Sequence, residues 1–228
     1  EPSNASEEFT TLESKPEVSP EILFLNPNSS TSVFVVWGPL RSFQWNGHPK
    51  GYLLLFKPEG GIASWEEIRI PNSKASSFML TDLHPYTSYE VQIVAENSVD
   101  QSRPSRRLKV KTFEDIPSAA PSGVKILSDD PKTVVVTWKP LDYYFSNGII
   151  TKYKVRLISG NESLYEQHLE NVEVDGDVFK YTFRDLHPFT NYRAFVSAST
   201  IVGTGPENSS AFLLTKEDVP DEPYNVGF

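Results

Sequence analysis

Few residues in this chain are equipped for chemistry by type and spacing. There are four histidines, His48, His84, His168 and His187, and none is followed two or four positions on by a second histidine or a cysteine, so no zinc-ligand spacing is present. Cysteine is absent, which removes thiolate nucleophiles, zinc ribbons and disulfide-dependent modules. No serine stands in a nucleophile-elbow pattern, and no glycine-rich phosphate cradle follows a strand pattern. Gly203-Thr204-Gly205 reads as a hairpin turn. Carboxylates are abundant but scattered, with no spacing that marks an acid–base pair. The expectation is no catalytic residue, no metal and no cofactor. The covalent chemistry that spacing does offer lies at asparagine: Asn4-Ala5-Ser6, Asn28-Ser29-Ser30, Asn161-Glu162-Ser163 and Asn208-Ser209-Ser210 each fit the N-glycan acceptor pattern. They point towards the secretory pathway.

The elements that must carry these residues are set by a repeat. Val35-Val36-Trp37-Gly38-Pro39-Leu40 leads to Asn46-Gly47 and Gly51-Tyr52, and Val136-Thr137-Trp138-Lys139-Pro140-Leu141 leads to Asn147-Gly148 and Lys152-Tyr153, 101 positions later. Asp82-Leu83-His84-Pro85-Tyr86-Thr87-Ser88-Tyr89 returns as Asp185-Leu186-His187-Pro188-Phe189-Thr190-Asn191-Tyr192 at an offset of 103. A fixed period of this size means one structural unit repeated. His84 and His187 share one position within a turn, which assigns them to that turn. Alternation at Val33, Val35 and Trp37, and at Val134, Val136 and Trp138, is that of strands with at least one buried face. Tyr89 to Ala95 and Tyr192 to Ala198 alternate in the same way. Short strands between Pro, Gly, Asn and Ser clusters predict an all-β sandwich.

A tryptophan closing the second strand, a tyrosine opening the third and Leu-x-Pro-x-Thr-x-Tyr before the sixth together resemble the fibronectin type III family. The resemblance implies two consecutive seven-stranded immunoglobulin-like β-sandwiches. It implies a structural core holding Trp37, Tyr52, Leu83 and Tyr89 in the first copy and Trp138, Tyr153, Leu186 and Tyr192 in the second, with Tyr89 and Tyr192 as corner tyrosines. The family's Gly-x-Gly turn after the sixth strand stands at Gly203-Thr204-Gly205 but is replaced by Asp100-Gln101-Ser102 in the first copy, which predicts a different turn there. Composition places a flexible acidic lead-in at 1–19, a first domain at 20–113, a linker at 114–117, a second domain at 118–215, and a linker with the start of a further repeat at 216–228.

Large aromatics mark the loop between the second and third strands of each copy. Three readings are open for Phe43 and Trp45: a partner-binding surface, packing over the edge of their own core, or contact with a domain upstream. The family topology implies that Tyr143, Tyr144 and Phe145 sit at the junction between the domains. Arg103, Arg106, Arg107, Lys109 and Lys111 crowd the last strand of the first copy; Leu108 and Val110 alternate with Arg107, Lys109 and Lys111, so these cations share the solvent face. Such a row suits a sulfated glycan such as heparan sulfate, and equally guards a strand edge.

The net charge of −9 repels phosphate backbones and predicts no nucleic-acid partner. No apolar run approaches the roughly 20 residues that cross a bilayer, so no membrane insertion by this segment is expected. No signal peptide opens it, and an excised fragment of a longer chain is expected. The leading expectation is a non-enzymatic extracellular stretch of a single-pass receptor or adhesion protein, similar to receptor-type tyrosine phosphatases or neural adhesion molecules, that spaces domains and binds a protein ligand or its own kind. Two alternatives are a matrix glycoprotein binding sulfated glycans and an accessory domain of a secreted carbohydrate-active enzyme.

Overall fold

The structure, a computed structural model, describes residues 10–60, 62–160 and 167–219, with the side chains of 167–170 left out. The chain divides into two compact units, Glu1–Phe113 and Glu114–Phe228. Asn4 and Asn161 lie outside the described residues.

The first unit contains β1 (Glu21–Pro27), β2 (Val33–Gly38), β3 (Pro49–Pro58), β4 (Glu66–Ile70), β5 (Ser77–Leu80), β6 (Ser88–Asn97) and β7 (Leu108–Lys111). They form two antiparallel sheets, β1-β2-β5 and β4-β3-β6-β7. The period-2 pattern of β2 turns Val33, Val35 and Trp37 inward, where they meet Tyr52, Leu54 and Phe56 of β3 and Tyr89, Val91 and Ile93 of β6 in one core.

The second unit repeats this with β8 (Lys125–Asp130), β9 (Thr133–Thr137), β10 (Lys152–Ser159), β11 (Gln167–Asp175), β12 (Lys180–Phe183), β13 (Asn191–Ser199), β14 (Thr204–Ser209) and β15 (Leu213–Leu214). Its sheets are β8-β9-β12 and β11-β10-β13-β14, with β15 also paired to β13. Val134, Val136 and Trp138 face Tyr153, Val155, Leu157, Tyr192 and Val196 across the core.

The corner tyrosines do the same job in each unit. Tyr89 and Tyr192 are 5% and 0% exposed, and their hydroxyls accept from the backbone N–H of His84 (2.8 Å) and His187 (2.9 Å). A buried ring is thus combined with a satisfied polar tip. Leu83 is buried and Leu186 packs against its core partly buried. Tyr52 and Tyr153 receive the N–H of Leu40 (2.9 Å) and Leu141 (3.2 Å), pinning the loop that follows the core tryptophan. Left-handed backbone recurs at matched places too: Asn46 with Asn147, Asp82 with Asp185, and Tyr86 with Phe189.

Two boundary segments are bonded into the unit beside them. The lead-in is bonded to the first unit from Glu13 onward: the N–H of Ser14 donates to the carbonyl of Asn46 (2.8 Å), and Pro16 is buried. Residues 114–117, expected as a linker, are bonded into the second unit: the N–H of Asp115 donates to the carbonyl of Asn147 (2.9 Å). Both have the same cause, since backbone groups at the Asn-Gly turn need partners and the passing chain supplies them.

Candidate binding surfaces

The loop between β2 and β3 folds as a single 3-10 turn at Ser42–Trp45, held by the N–H of Gln44 on the carbonyl of Arg41 (2.9 Å) and the N–H of Arg41 on Gln44 Oε1 (2.7 Å). This turn separates its two aromatics. Phe43 is 70% exposed, whereas Trp45 is 2% exposed, its ring 5.3 Å from that of Tyr52. Trp45 is therefore a core residue: of the readings open for it, packing on its own core fits, and a partner-facing role is corrected. With three residues per turn, side chains two positions apart point about 120° apart, so one loop cannot present both. Phe43 lines an open groove of about 590 Å³ with Leu12, Glu13, Asn46, Gly47 and His48.

The floor of that groove is a clip that sequence reasoning missed. Glu13 takes His48 Nδ1 on one carboxylate oxygen and the Ser98 hydroxyl on the other. The Ser98 hydroxyl first, and His48 with it, hold the Glu13 carboxyl below the usual carboxylate range. Beside it Asn97 Nδ2 donates to the carbonyls of Ser14 (2.6 Å) and Trp45 (2.8 Å), and Asn46 Nδ2 to that of Lys15 (3.3 Å). In the second unit Asn147 Nδ2 donates to the carbonyl of Ile116 (2.8 Å) and the Thr200 hydroxyl to that of Asp115 (2.9 Å). Glu-x-x-Pro stands at both straps, Glu13–Pro16 and Glu114–Pro117, and occurs also at Glu17–Pro20 and Glu217–Pro220. Gly205 makes room for this strap, because a Cβ there would come within 2.6 Å of the Pro117 carbonyl.

The turn after β6 lacks its glycines but closes through a side chain. Asn97 Oδ1 accepts from the N–H groups of Val99 (2.9 Å) and Asp100 (3.0 Å), an Asx-type turn that needs no glycine. In the second unit the Thr200 hydroxyl accepts from the N–H of Val202 (3.2 Å).

Arg107, Lys109 and Lys111 are exposed around β7, and each faces a local partner. Arg107 reaches Glu90 (3.2 Å), which Lys57 also approaches (3.7 Å); Trp65 stacks with both cations, 5.2 Å from Lys57 and 5.1 Å from Arg107. Lys109 pairs with Glu59, whose carboxylate raises the ammonium pKa. Lys111 sits 3.1 Å over the Tyr86 ring. Arg103 and Arg106 precede the strand in an irregular stretch and are exposed.

In the second unit Tyr143–Ser146 forms one helical turn, α1, capped by Asp142 Oδ1 on the N–H of Tyr144 (2.9 Å). Tyr143, Tyr144 and Phe145 are exposed. Asn28 is exposed at the end of the β1–β2 hairpin, and Asn208 is exposed in β14. No group of three His, Cys, Asp or Glu side chains among the described residues is placed to hold a metal.

Two sandwiches of this topology, each with a corner tyrosine and a tryptophan–tyrosine core pair, define a tandem immunoglobulin-like β-sandwich protein. The fibronectin type III domain matches residues 16–111 and 119–213, and the chain belongs to that family. It is 38% identical over 97% of its length to a Protein sidekick homolog of Caenorhabditis elegans, of which it spans 10%. It is 29% identical over 98% of its length to mouse Contactin-2, of which it spans 21%. To the Cell adhesion molecule DSCAM of rat it is 30% identical over 99% of its length, spanning 11% of that protein. The chain thus covers a minor part of each of these relatives, which are cell adhesion proteins. A crystal structure of chicken CNTN1 FN1-FN3 domains matches 91% of this chain and 70% of that one, at 23% identity and a TM-score of 0.42.

Proposed function

We propose that this chain is a non-catalytic extracellular stretch of a cell-surface adhesion receptor, in which two domains act as spacers and present a protein-binding surface. The observation that carries this reading is the likeness to adhesion proteins across nearly the whole chain, through both domains rather than one. Phe43 is the contact residue this reading favours: a large apolar ring, 70% exposed, beside a groove floored by a fixed clip. Exposed aromatics of this kind anchor protein interfaces. The partner is a protein ligand or a second copy of the parent protein.

The test is binding of the purified chain, coupled to beads, to itself and to cells expressing the full-length parent. Phe43→Ala should lower bead clustering or cell binding at least about tenfold with an unchanged melting temperature. Equal binding by the two proteins would refute the role of Phe43. Absence of any binding by the parent chain would leave only the spacer role.

The sulfated-glycan reading has less support, because Arg107, Lys109 and Lys111 each already face a carboxylate or a ring. Arg103 and Arg106 remain the cations it would use. Retention on heparin beyond that on a plain cation exchanger at matched ionic strength would favour it.

A further inference from the structure

The outer face of the β1-β2-β5 sheet is apolar where a solvated face should be polar. Leu23, Phe24 and Met79 are 64%, 48% and 37% exposed, and Phe34 and Val36 between them are half-buried. Register makes these one patch: Phe24 lies opposite Val36, and Phe34 opposite Met79. The inner face of the same strands is filled by Ile22, Val33, Val35, Trp37 and Leu80, so the patch is additional to the core.

The second domain shows the same face with fewer and smaller apolar residues. At the matched positions Lys125 lies opposite Thr137, and Val135 opposite Thr182. Thus Phe24, Val36 and Met79 are answered by Lys125, Thr137 and Thr182. The hairpins differ as well: Asn28-Ser29-Ser30 is answered by Asp129-Asp130-Pro131, which is not a sequon. The acceptor is missing from the second copy, and its apolar surface there is reduced to Leu127, 56% exposed, opposite Val135.

Geometry connects the two. The N–H of Asn28 donates to the carbonyl of Ser32 (2.9 Å), continuing the ladder in which Pro27 opposes Val33 and Asn26 opposes Phe34. Alternation puts Asn28 on the same face as Asn26 and Phe24. Phe34 is its diagonal neighbour, about 7–8 Å away and within reach of a side group. Asn28 Nδ2 donates to Ser32 Oγ (3.2 Å); it carries two hydrogens, so replacing one leaves the other for this bond.

We propose that Asn28 carries an N-linked glycan whose first sugar rings lie on the apolar face formed by Phe34, Phe24, Val36 and Met79. Transfer joins Nδ2 to the anomeric carbon of the first sugar, breaks that carbon's bond to the diphosphate of a lipid-linked oligosaccharide donor, and releases one Nδ2 proton. The C–H faces of pyranose rings then cover the aromatic rings, as apolar surfaces do in water. The proposal rests on the extracellular reading above.

The experiment is expression of the whole chain through a eukaryotic secretory pathway, followed by glycopeptide mass analysis. Asn28 should be occupied. Enzymatic removal of the glycan from the folded protein should lower the melting temperature by about 4 °C and raise binding of an apolar dye. Ser30→Ala, which blocks transfer but keeps Asn28, should reproduce both changes, and Phe34→Ser should abolish the difference between the glycosylated and stripped proteins. Occupancy at Asn208 without occupancy at Asn28 overturns the proposal and leaves the extracellular reading standing, whereas no occupied sequon anywhere counts against both. An occupied Asn28 whose removal changes neither melting nor dye binding overturns the packing. A glycosylated chain that dimerises through this face, with dimerisation lost in Phe34→Ser, overturns it in favour of a second copy.

Discussion

Trp45→Ala and Phe43→Ala should behave oppositely, although the two residues are neighbours in one loop. Trp45 is 2% exposed and packs 5.3 Å from Tyr52, which in turn lies edge-on to Trp37 at 5.4 Å. Truncating a buried tryptophan to alanine costs about 3–5 kcal/mol through lost transfer energy and the cavity left behind. For a domain of this size each kcal/mol moves the midpoint by roughly 4–8 °C, so the first domain should melt at least about 12 °C earlier. Phe43 is mostly solvated, and its truncation should stay within about 0.5 kcal/mol. Thermal unfolding followed by circular dichroism gives the shift, and native-state hydrogen exchange at β3 and β6 assigns it to the first domain. A Trp45→Ala protein melting within about 2 °C of the parent chain would refute the placement of this ring in the core.

Three further outcomes follow from local geometry. Gly51 has φ +126, and a Cβ there would lie 2.1 Å from the Ile70 carbonyl, so Gly51→Ala should cost at least about 3 kcal/mol in denaturant unfolding; a cost under about 1 kcal/mol would contradict the close approach of β3 to the chain leaving β4. Phe189 is held at φ 47 while 63% exposed, so Phe189→Asn should stabilise the second domain by about 1 kcal/mol, because asparagine tolerates left-handed backbone better; a lowered midpoint would mean the ring contributes more than its exposure indicates. Burial raises the Tyr52, Tyr153 and Tyr192 hydroxyls above their ordinary range. The folded state therefore favours the neutral phenol, and the stability this confers is full below about pH 10 and lost as pH rises beyond it. Tyrosinate absorbance from these rings should appear together with loss of the β signal, and full ionisation with the fold intact would disprove it.

The parts of the fold that were legible in the sequence are those written in side-chain types at fixed spacing. Trp37 with Trp138 and Tyr89 with Tyr192 fall into equivalent buried places because each depends on a local alternation or a single turn. Trp45 was not legible, since a loop has no period and a 3-10 turn alone decides which of its aromatics faces inward. The straps were missed because most of their bonds run to the backbone carbonyls of Ser14, Lys15, Asp115 and Ile116, which leave no mark on residue identity, and the Glu13 clip joins side chains 35 and 85 positions apart. Segments that are polar and proline-containing read as unstructured by composition, although Glu-x-x-Pro stands at the head of both straps, Glu13–Pro16 and Glu114–Pro117. The pairing of Arg107 with Glu90 and of Lys109 with Glu59 depends on which strands become neighbours, which alternation within one strand does not encode.

The carbonyl of Phe113 is tied to Tyr86 in the first unit (2.9 Å), and the N–H of Asp115 is tied to Asn147 in the second (2.9 Å). A single residue, Glu114, separates these two anchors. Residues 115 and 116 are thus ordered by the second unit's own hydrogen bonds, to Asn147 and Thr200. A truncated second domain that begins after Pro117 would therefore strip backbone partners from the Asn147 turn and from Thr200, and its natural starting residue is Glu114.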